Sequence, residues 1–292
     1  MVTWRHLLQE SIPFACERDP ESKYIVVGFP MDWTTSYKPG TRFAPDKIRE
    51  AACNLEYYAL LKNRVLDGLG FNDLGNVSLP FGDARKSIDI IRTVVSGVAE
   101  EYPDGFYVFL GGEHLVTYPV VEVLSDKIDT LVIFDAHLDL RNDYLGVKFS
   151  HATVMRRILE SSSKKLVYFG SRAFSKEELE FVSANQDLVR VYTPLDLMSK
   201  SIDSIISEIG GNVYISIDMD VFDPAIAPGV SNPEPLGIEP LGALQILDKL
   251  VSRRNIVGLD IVEVNPVFDV NDVTSLLAGK LVYEIVGMIK SR

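Results

Sequence analysis

Short apolar runs rich in Val, Ile, Tyr and Phe alternate along the chain with longer segments whose apolar residues recur at helical spacing. The runs at 24–29, 107–110, 130–134, 166–169, 189–192, 213–217 and 256–262 predict strands, with a weaker one at 65–71. Several are apolar at nearly every position, as strands covered on both faces are. The segments 45–62, 86–101, 151–160, 176–184, 201–208, 241–253 and 274–289 predict helices. Strands alternating with helices make βαβ units, and so a mostly parallel sheet of about eight strands in a three-layer αβα arrangement. No repeat, linker-like run or low-complexity tract divides residues 1–292, which predicts one domain.

The polar residues that break this pattern collect where strands end, which is where open α/β sheets bind ligands. Gly111-Gly112-Glu113-His114 follows one strand and Asp135-Ala136-His137-Leu138-Asp139 the next. Ser216-Ile217-Asp218-Met219-Asp220 closes a third, and Glu263 ends the last. In extended chain, side chains at i, i+2 and i+4 share a face, with neighbouring α-carbons about 6–7 Å apart. Asp135, His137 and Asp139 can therefore converge, and Asp218 and Asp220 repeat the device. Two imidazoles and four carboxylates are too many ligands for one tetrahedral zinc. They suit two divalent ions roughly 3.5–4 Å apart, with a carboxylate between them. Without cations, such acids would repel one another and hold protons. Oxygen-rich ligation with some imidazole favours Mn²⁺, with Fe²⁺ and Co²⁺ as alternatives. Water held between the ions would ionise near neutral pH, supplying a nucleophile without Ser or Cys. GxSxG, GxxxxGK[ST] and a post-strand GxGxxG are all missing. Ligand chemistry alone leaves several two-metal hydrolases open, phosphoesterases among them.

Composition narrows the partners. There are 41 Asp+Glu against 29 Lys+Arg, a formal charge of −12, with 47% apolar and 24% charged residues. That balance excludes disorder, collagen and coiled coil. An acidic chain without a basic patch is not built for nucleic acid or anionic lipid. Residues 1–19 lack the apolar core of a signal peptide, and no apolar stretch is long enough to span a bilayer. Cys16 and Cys53 form no CxxC, so neither a disulfide framework nor a zinc site is implied, and the expectation is a reduced, cytoplasmic protein.

GGEH, DAHLD and SIDMDVFDP, in this order and spacing, resemble the ureohydrolase family of arginases and agmatinases. The resemblance extends over residues 36–51 (SYKPGTRFAPDKIREA), 149–157 (FSHATVMRR), 227–235 (APGVSNPEP) and 259–269 (LDIVEVNPVFD). It implies a three-layer α/β fold with two Mn²⁺ per chain that hydrolyses a guanidino group to urea and an amine. By motif position, His114, Asp135, Asp139 and Asp218 would hold one ion. Asp135, His137, Asp218 and Asp220 would hold the other, with Asp135 and Asp218 bridging. A hydroxide between the ions would attack the guanidinium carbon, Glu263 would bind the guanidinium, Asp139 would protonate the leaving amine and His151 would shuttle protons. Arg141 stands where the arginase pattern has Asn, which disfavours arginine. NPEP and EVNP are similar to agmatinases and imply agmatine as substrate and putrescine as product. Guanidinobutyrate, aminopropylagmatine and arginine are the alternatives. The chain departs from the usual motifs at Glu113 (GGEHL for GGDHS), at Ala152 after His151, and at GVSNPEP. Family members assemble as trimers and hexamers, so a homo-oligomer is expected. A non-catalytic metal-binding regulatory subunit would be expected to lack His151 or Glu263, and both are present. Deacetylase-like relatives use one zinc, which does not account for Asp139 and Asp220.

Overall fold

The computed structural model describes residues 4–162 and 164–290; residues 1–3, 291 and 292, at the ends of the expected domain, and residue 163 within it lie outside the described residues. Eleven strands are found among the described residues: β1 (Leu8–Gln9), β2 (Tyr24–Phe29), β3 (Tyr58–Ala59), β4 (Arg64–Val65), β5 (Asn72–Val77), β6 (Phe106–Gly111), β7 (Thr130–Phe134), β8 (Lys165–Phe169), β9 (Val189–Tyr192), β10 (Asn212–Asp218) and β11 (Asn255–Val262). Nine of them form one sheet in the order β1-β5-β2-β6-β11-β10-β7-β8-β9, and β3 and β4 make a separate hairpin. Every pairing in the large sheet is parallel except that of β1 with β5. The ninth strand, beyond the eight expected, is this two-residue edge.

The helices are α1 (Ala44–Ala52), α2 (Ala84–Glu101), α3 (Thr117–Val123), α4 (Val154–Ser162), α5 (Lys176–Ala184), α6 (Pro194–Ser199), α7 (Ile202–Glu208), α8 (Pro240–Arg253) and α9 (Val273–Lys290). Side chains of α1, α7, α8 and α9 fill one core against one face of the sheet. Those of α2, α3 and α4 fill a second core on the other face. Burial on both faces is why the central strands are apolar at consecutive positions. No helix among the described residues is long and apolar enough to cross a membrane.

Two expectations are corrected near the N-terminus. The helix expected at 45–62 stops at Ala52, and the weak strand expected at 65–71 lies instead at Asn72–Val77. That strand is polar because it receives a buried cation. Arg49 of α1, fully buried, pairs with both carboxylate oxygens of Asp73 at 2.7 and 2.9 Å and with Asn76 Oδ1 at 2.6 Å.

The expectation of two free thiols is also overturned, because Cys16 and Cys53 form a disulfide. Ala15 and Cys16 adopt left-handed backbone (φ 65° and 62°), which turns the Phe14–Cys16 segment onto the end of α1. A cross-link spanning 37 residues removes unfolded-state entropy worth about 4 kcal/mol in the chain-entropy model. Cys53→Ser, or reduction, is therefore expected to lower the melting temperature by several degrees, measurable by calorimetry with and without reductant. Equal melting temperatures would show that the staple carries no stability.

Candidate active site

Four adjacent strands, β6, β11, β10 and β7, carry the site at their carboxyl ends. β6 leads into Gly112-Glu113-His114. The chain passes so close to Met31 that a Cβ on Gly112 would lie 1.9 Å from the Met31 carbonyl oxygen, which only glycine allows. β10 ends on Asp218, and Asp220 follows in a 3₁₀ turn whose N–H donates to Asp218 Oδ1 at 2.9 Å. Glu263 comes immediately after β11.

Asp135, His137 and Asp139 do converge, but not by strand alternation. β7 ends at Phe134, and the next residues leave the strand and curl, with Asp139 in left-handed conformation (φ 53°). Glu263 is also left-handed (φ 61°). A non-glycine residue held so costs roughly 1–3 kcal/mol and persists where its surroundings over-determine it. At Asp139 they do: its carbonyl accepts from the N–H groups of Met155 and Arg156, and buried Glu178 takes the N–H of Leu140 at 3.1 Å.

The convergence has two centres. His114 Nδ1 lies 3.1 Å from Asp135 Oδ2, 3.2 Å from Asp139 Oδ2 and 3.4 Å from Asp218 Oδ2. His137 Nδ1 lies 2.9 Å from Asp220 Oδ2 and 3.7 Å from Asp135 Oδ1. Asp135 thus turns one oxygen toward each centre, and two ligand-atom groups, His114/Asp135/Asp139 and Asp135/His137/Asp220, meet at it. Asp218 faces the first centre with Oδ2, while its Oδ1 is engaged by Asp220. His114 Nδ1 and Asp135 Oδ2 are buried without a hydrogen-bond partner. Orphaned donor atoms on a cluster of imidazole and carboxylate are the chemistry of a divalent-cation site, so the residues fit a pair of such ions.

Electrostatics agree. Burial and the neighbouring Asp135 charge push Asp139 up to about 7, against the pull of His114. Burial and its acidic neighbours raise Asp218 well above the carboxylate range. Burial disfavours the charged forms of His114 and His137, yet the surrounding carboxylates raise both. These groups share protons where a metal would supply positive charge.

Two supports behind the cluster were not read from the sequence. His114 Nε2 meets Ser216 Oγ at 3.0 Å, and Ser216 donates to buried Asp260 at 2.6 Å, which also receives Thr117 and Tyr214 hydroxyls. A lone acid inside the apolar strand β11 was the signal available. Arg172, just after β8, donates to the carbonyls of Asp220, Val221, Glu234 and Pro235 at 2.6–3.1 Å. It clamps the Asp220 turn to the 231–235 loop.

A cavity of about 400 Å³ opens over the two centres, lined by His137, Asp139, Asp218, Asp220 and Glu263 at its floor. His151, Tyr144, Arg141, Phe174, Asn232 and Glu234 line it further out. Glu263 Oε1 accepts the His114 N–H at 2.8 Å, whereas Oε2 is buried and unpartnered. Burial pushes this carboxyl up to about 8. Such a group is poised for a cation that can fill the vacant acceptor. Arg141 lines the cavity with its guanidinium over the Tyr144 ring (5.4 Å). Asp143, which could have neutralised it, instead accepts from Gly146 N–H. His151 is buried, with the Tyr144 ring edge-on at 5.6 Å. Burial, then the charges of His137 and His114, lower it to about 4. Burial likewise lifts Glu113 to about 7, against its hydrogen bonds to Thr34.

A three-layer αβα domain with clustered acids and imidazoles at the ends of neighbouring strands defines a metal-dependent hydrolase architecture. Residues 22–287 match the arginase family model, and the chain belongs to that family. It is 40% identical over 280 residues to the agmatinase of Bacillus cereus, covering 92% of this chain and 93% of that one. To the N(1)-aminopropylagmatine ureohydrolase of Thermococcus kodakarensis it is 37% identical, covering 92% of each. The crystal structure of agmatine ureohydrolase of Thermoplasma volcanium superposes with a TM-score of 0.85 at 37% identity, covering 97% of this chain and 94% of that one. The chain is a ureohydrolase of the agmatinase type, acting on the guanidino group of a small molecule.

Proposed function

We propose that the protein hydrolyses agmatine to putrescine and urea with two Mn²⁺ ions per chain. The carrying observation is the unpartnered Glu263 Oε2 on the floor of a cavity whose other floor residues form the two ligand groups. His114, Asp135, Asp139 and Asp218 would hold one ion, and Asp135, His137, Asp218 and Asp220 the other. When bound, the ions would lower the pKa of water toward neutrality and so supply a hydroxide nucleophile for the guanidinium carbon.

Glu263 binds the guanidinium by a charge-assisted hydrogen bond, fixing the carbon over the floor. Asp139 takes a proton at a carboxylate oxygen and passes it to the departing amine nitrogen. His151 exchanges protons between the cavity and solvent. Glu234, which lines the cavity as Arg141 does, supplies negative charge for the substrate's ammonium tail. The relatives that act on agmatine and on aminopropylagmatine support a cationic tail. The reading extends to a homo-oligomer, a trimer or hexamer, on family resemblance alone, and to a cytoplasmic location, which the Cys16–Cys53 disulfide does not support.

The test is urea release by the Mn²⁺-loaded protein from agmatine, aminopropylagmatine, arginine and guanidinobutyrate side by side. Agmatine is expected to be preferred by at least about tenfold in kcat/KM, roughly 1.4 kcal/mol. Preference for guanidinobutyrate would reverse the substrate assignment and make Arg141 the tail-binding group.

A further inference from the structure

The ring of His151 is held from behind by a chain of hydrogen bonds that starts at Glu113. Glu113 is fully buried, and its Oε2 accepts from Thr34 N–H at 2.6 Å while Oε1 accepts from the Thr34 hydroxyl at 2.8 Å. Thr34 Oγ1 in turn receives the backbone N–H of His151 at 3.0 Å and lies 3.3 Å from His151 Nδ1. The other ring nitrogen, Nε2, has Ser36 Oγ at 3.4 Å, and Ser36 lines the cavity.

Counting hydrogens decides which nitrogen carries the proton. A threonine hydroxyl has one hydrogen and two acceptor sites. Both Glu113 oxygens accept from Thr34, so the hydroxyl hydrogen goes to Glu113 Oε1, and one acceptor site is used by His151 N–H. The remaining site can only accept, so the imidazole must donate from Nδ1. The Nε2 lone pair is then left on the cavity side. We propose that Glu113, acting through Thr34, holds His151 in the Nδ1–H tautomer with Nε2 presented to the cavity as a proton acceptor. The inference rests on the reading of His151 as the proton-exchanging residue. Glu113 and Thr34 are positioning residues: neither lines the cavity over the two centres. The arrangement also gives Glu113 a purpose that Leu or Ala at this buried position could not serve, since only an acceptor fixes the direction of the Thr34 hydroxyl.

The experiment is a double-mutant cycle on the Mn²⁺-loaded enzyme with Thr34→Val, Thr34→Ser, His151→Ala and the Thr34→Val/His151→Ala pair. kcat, KM and metal content are read for each. Thr34→Val, which keeps the shape and removes the hydroxyl, is expected to lower kcat about tenfold with KM and two ions per chain retained. Thr34→Ser should restore most of that loss, and Thr34→Val should cost nothing further once His151 is Ala. A Thr34→Val enzyme with full kcat, or one equally impaired in the His151→Ala background, would overturn the relay. If His151→Ala itself left kcat unchanged while urea was still released, the underlying reading of His151 would fail instead, and the relay with it. Loss of metal from Thr34→Val alone would reassign Thr34 to supporting the ligand loop and reject the proposal.

Discussion

Asp135→Asn is expected to abolish stable metal binding and urea release together. Asp135 is the residue on which both ligand groups meet, with Oδ2 toward His114 and Oδ1 toward His137. The amide keeps the size of the side chain but loses the charge, and it points an N–H₂ donor at one of the two centres. Replacing residues that merely orient ligands typically costs 10–100-fold in metal affinity, so removing the shared ligand should exceed about 100-fold. Metal content of the purified variant and its Mn²⁺ titration curve check this. Retention of both ions at wild-type affinity would show that Asp135 does not bridge.

Glu263→Gln is expected to separate binding of substrate from binding of metal. The side chain sits between the His114 N–H, held by Oε1, and the cavity, faced by the unpartnered Oε2. A glutamine can keep the first contact but offers no charge to a guanidinium. Removing one partner of a buried, hydrogen-bonded charge pair costs about 2–5 kcal/mol, so kcat/KM should fall roughly 30- to 5,000-fold with metal content unchanged. Burial raises this carboxyl to about 8, so the cation-binding, deprotonated form is depleted as pH falls through that value. KM in the parent enzyme should therefore rise toward acid pH, and E263Q should lose that dependence. A variant with near-parental kcat/KM would remove Glu263 from substrate recognition.

Much of this framework was legible in the residues. The expected strands at 24–29 and 130–134 coincide with β2 and β7, because a strand buried on both faces leaves an unbroken apolar run, and that at 189–192 coincides with the edge strand β9. β5 was misplaced because its sequence, NDLGNV, is polar for a reason found 24 and 27 residues away: Asp73 and Asn76 receive Arg49. The helix at 45–62 was over-extended because Leu55 and Tyr57 continue the apolar pattern, but they pack as a loop against the same core as α9. The Tyr57 ring packs 5.1 Å from that of Tyr283. α3 escaped notice because Val120, Val121 and Val123 around Pro119 have no helical period and read as strand. α6 carried a readable signal in the Thr193–Asp196 capping box, but six residues are too few to show a period.

The site shows the same division. The seven residues singled out at strand ends, His114, Asp135, His137, Asp139, Asp218, Asp220 and Glu263, and His151, assigned by resemblance, all lie in one region of the structure, and six of the eight line its cavity. Strand ends are easy to find, and charged residues there stand out. The reason given for the Asp135–Asp139 convergence was nevertheless mistaken, since a left-handed turn and not strand alternation brings them together. Contacts such as Glu113 with Thr34 and Thr34 with His151 join residues 79 and 117 positions apart. Nothing in local pattern carries them; they follow from how the loops after β2, β6 and β7 close over one another.

The most direct test of the central claim is to titrate metal-free protein with Mn²⁺, counting bound ions per chain by elemental analysis while measuring urea release from agmatine. Activity should appear with metal and reach its plateau at two ions per chain. Full urea release at one ion per chain or fewer would contradict the two-centre site built on Asp135.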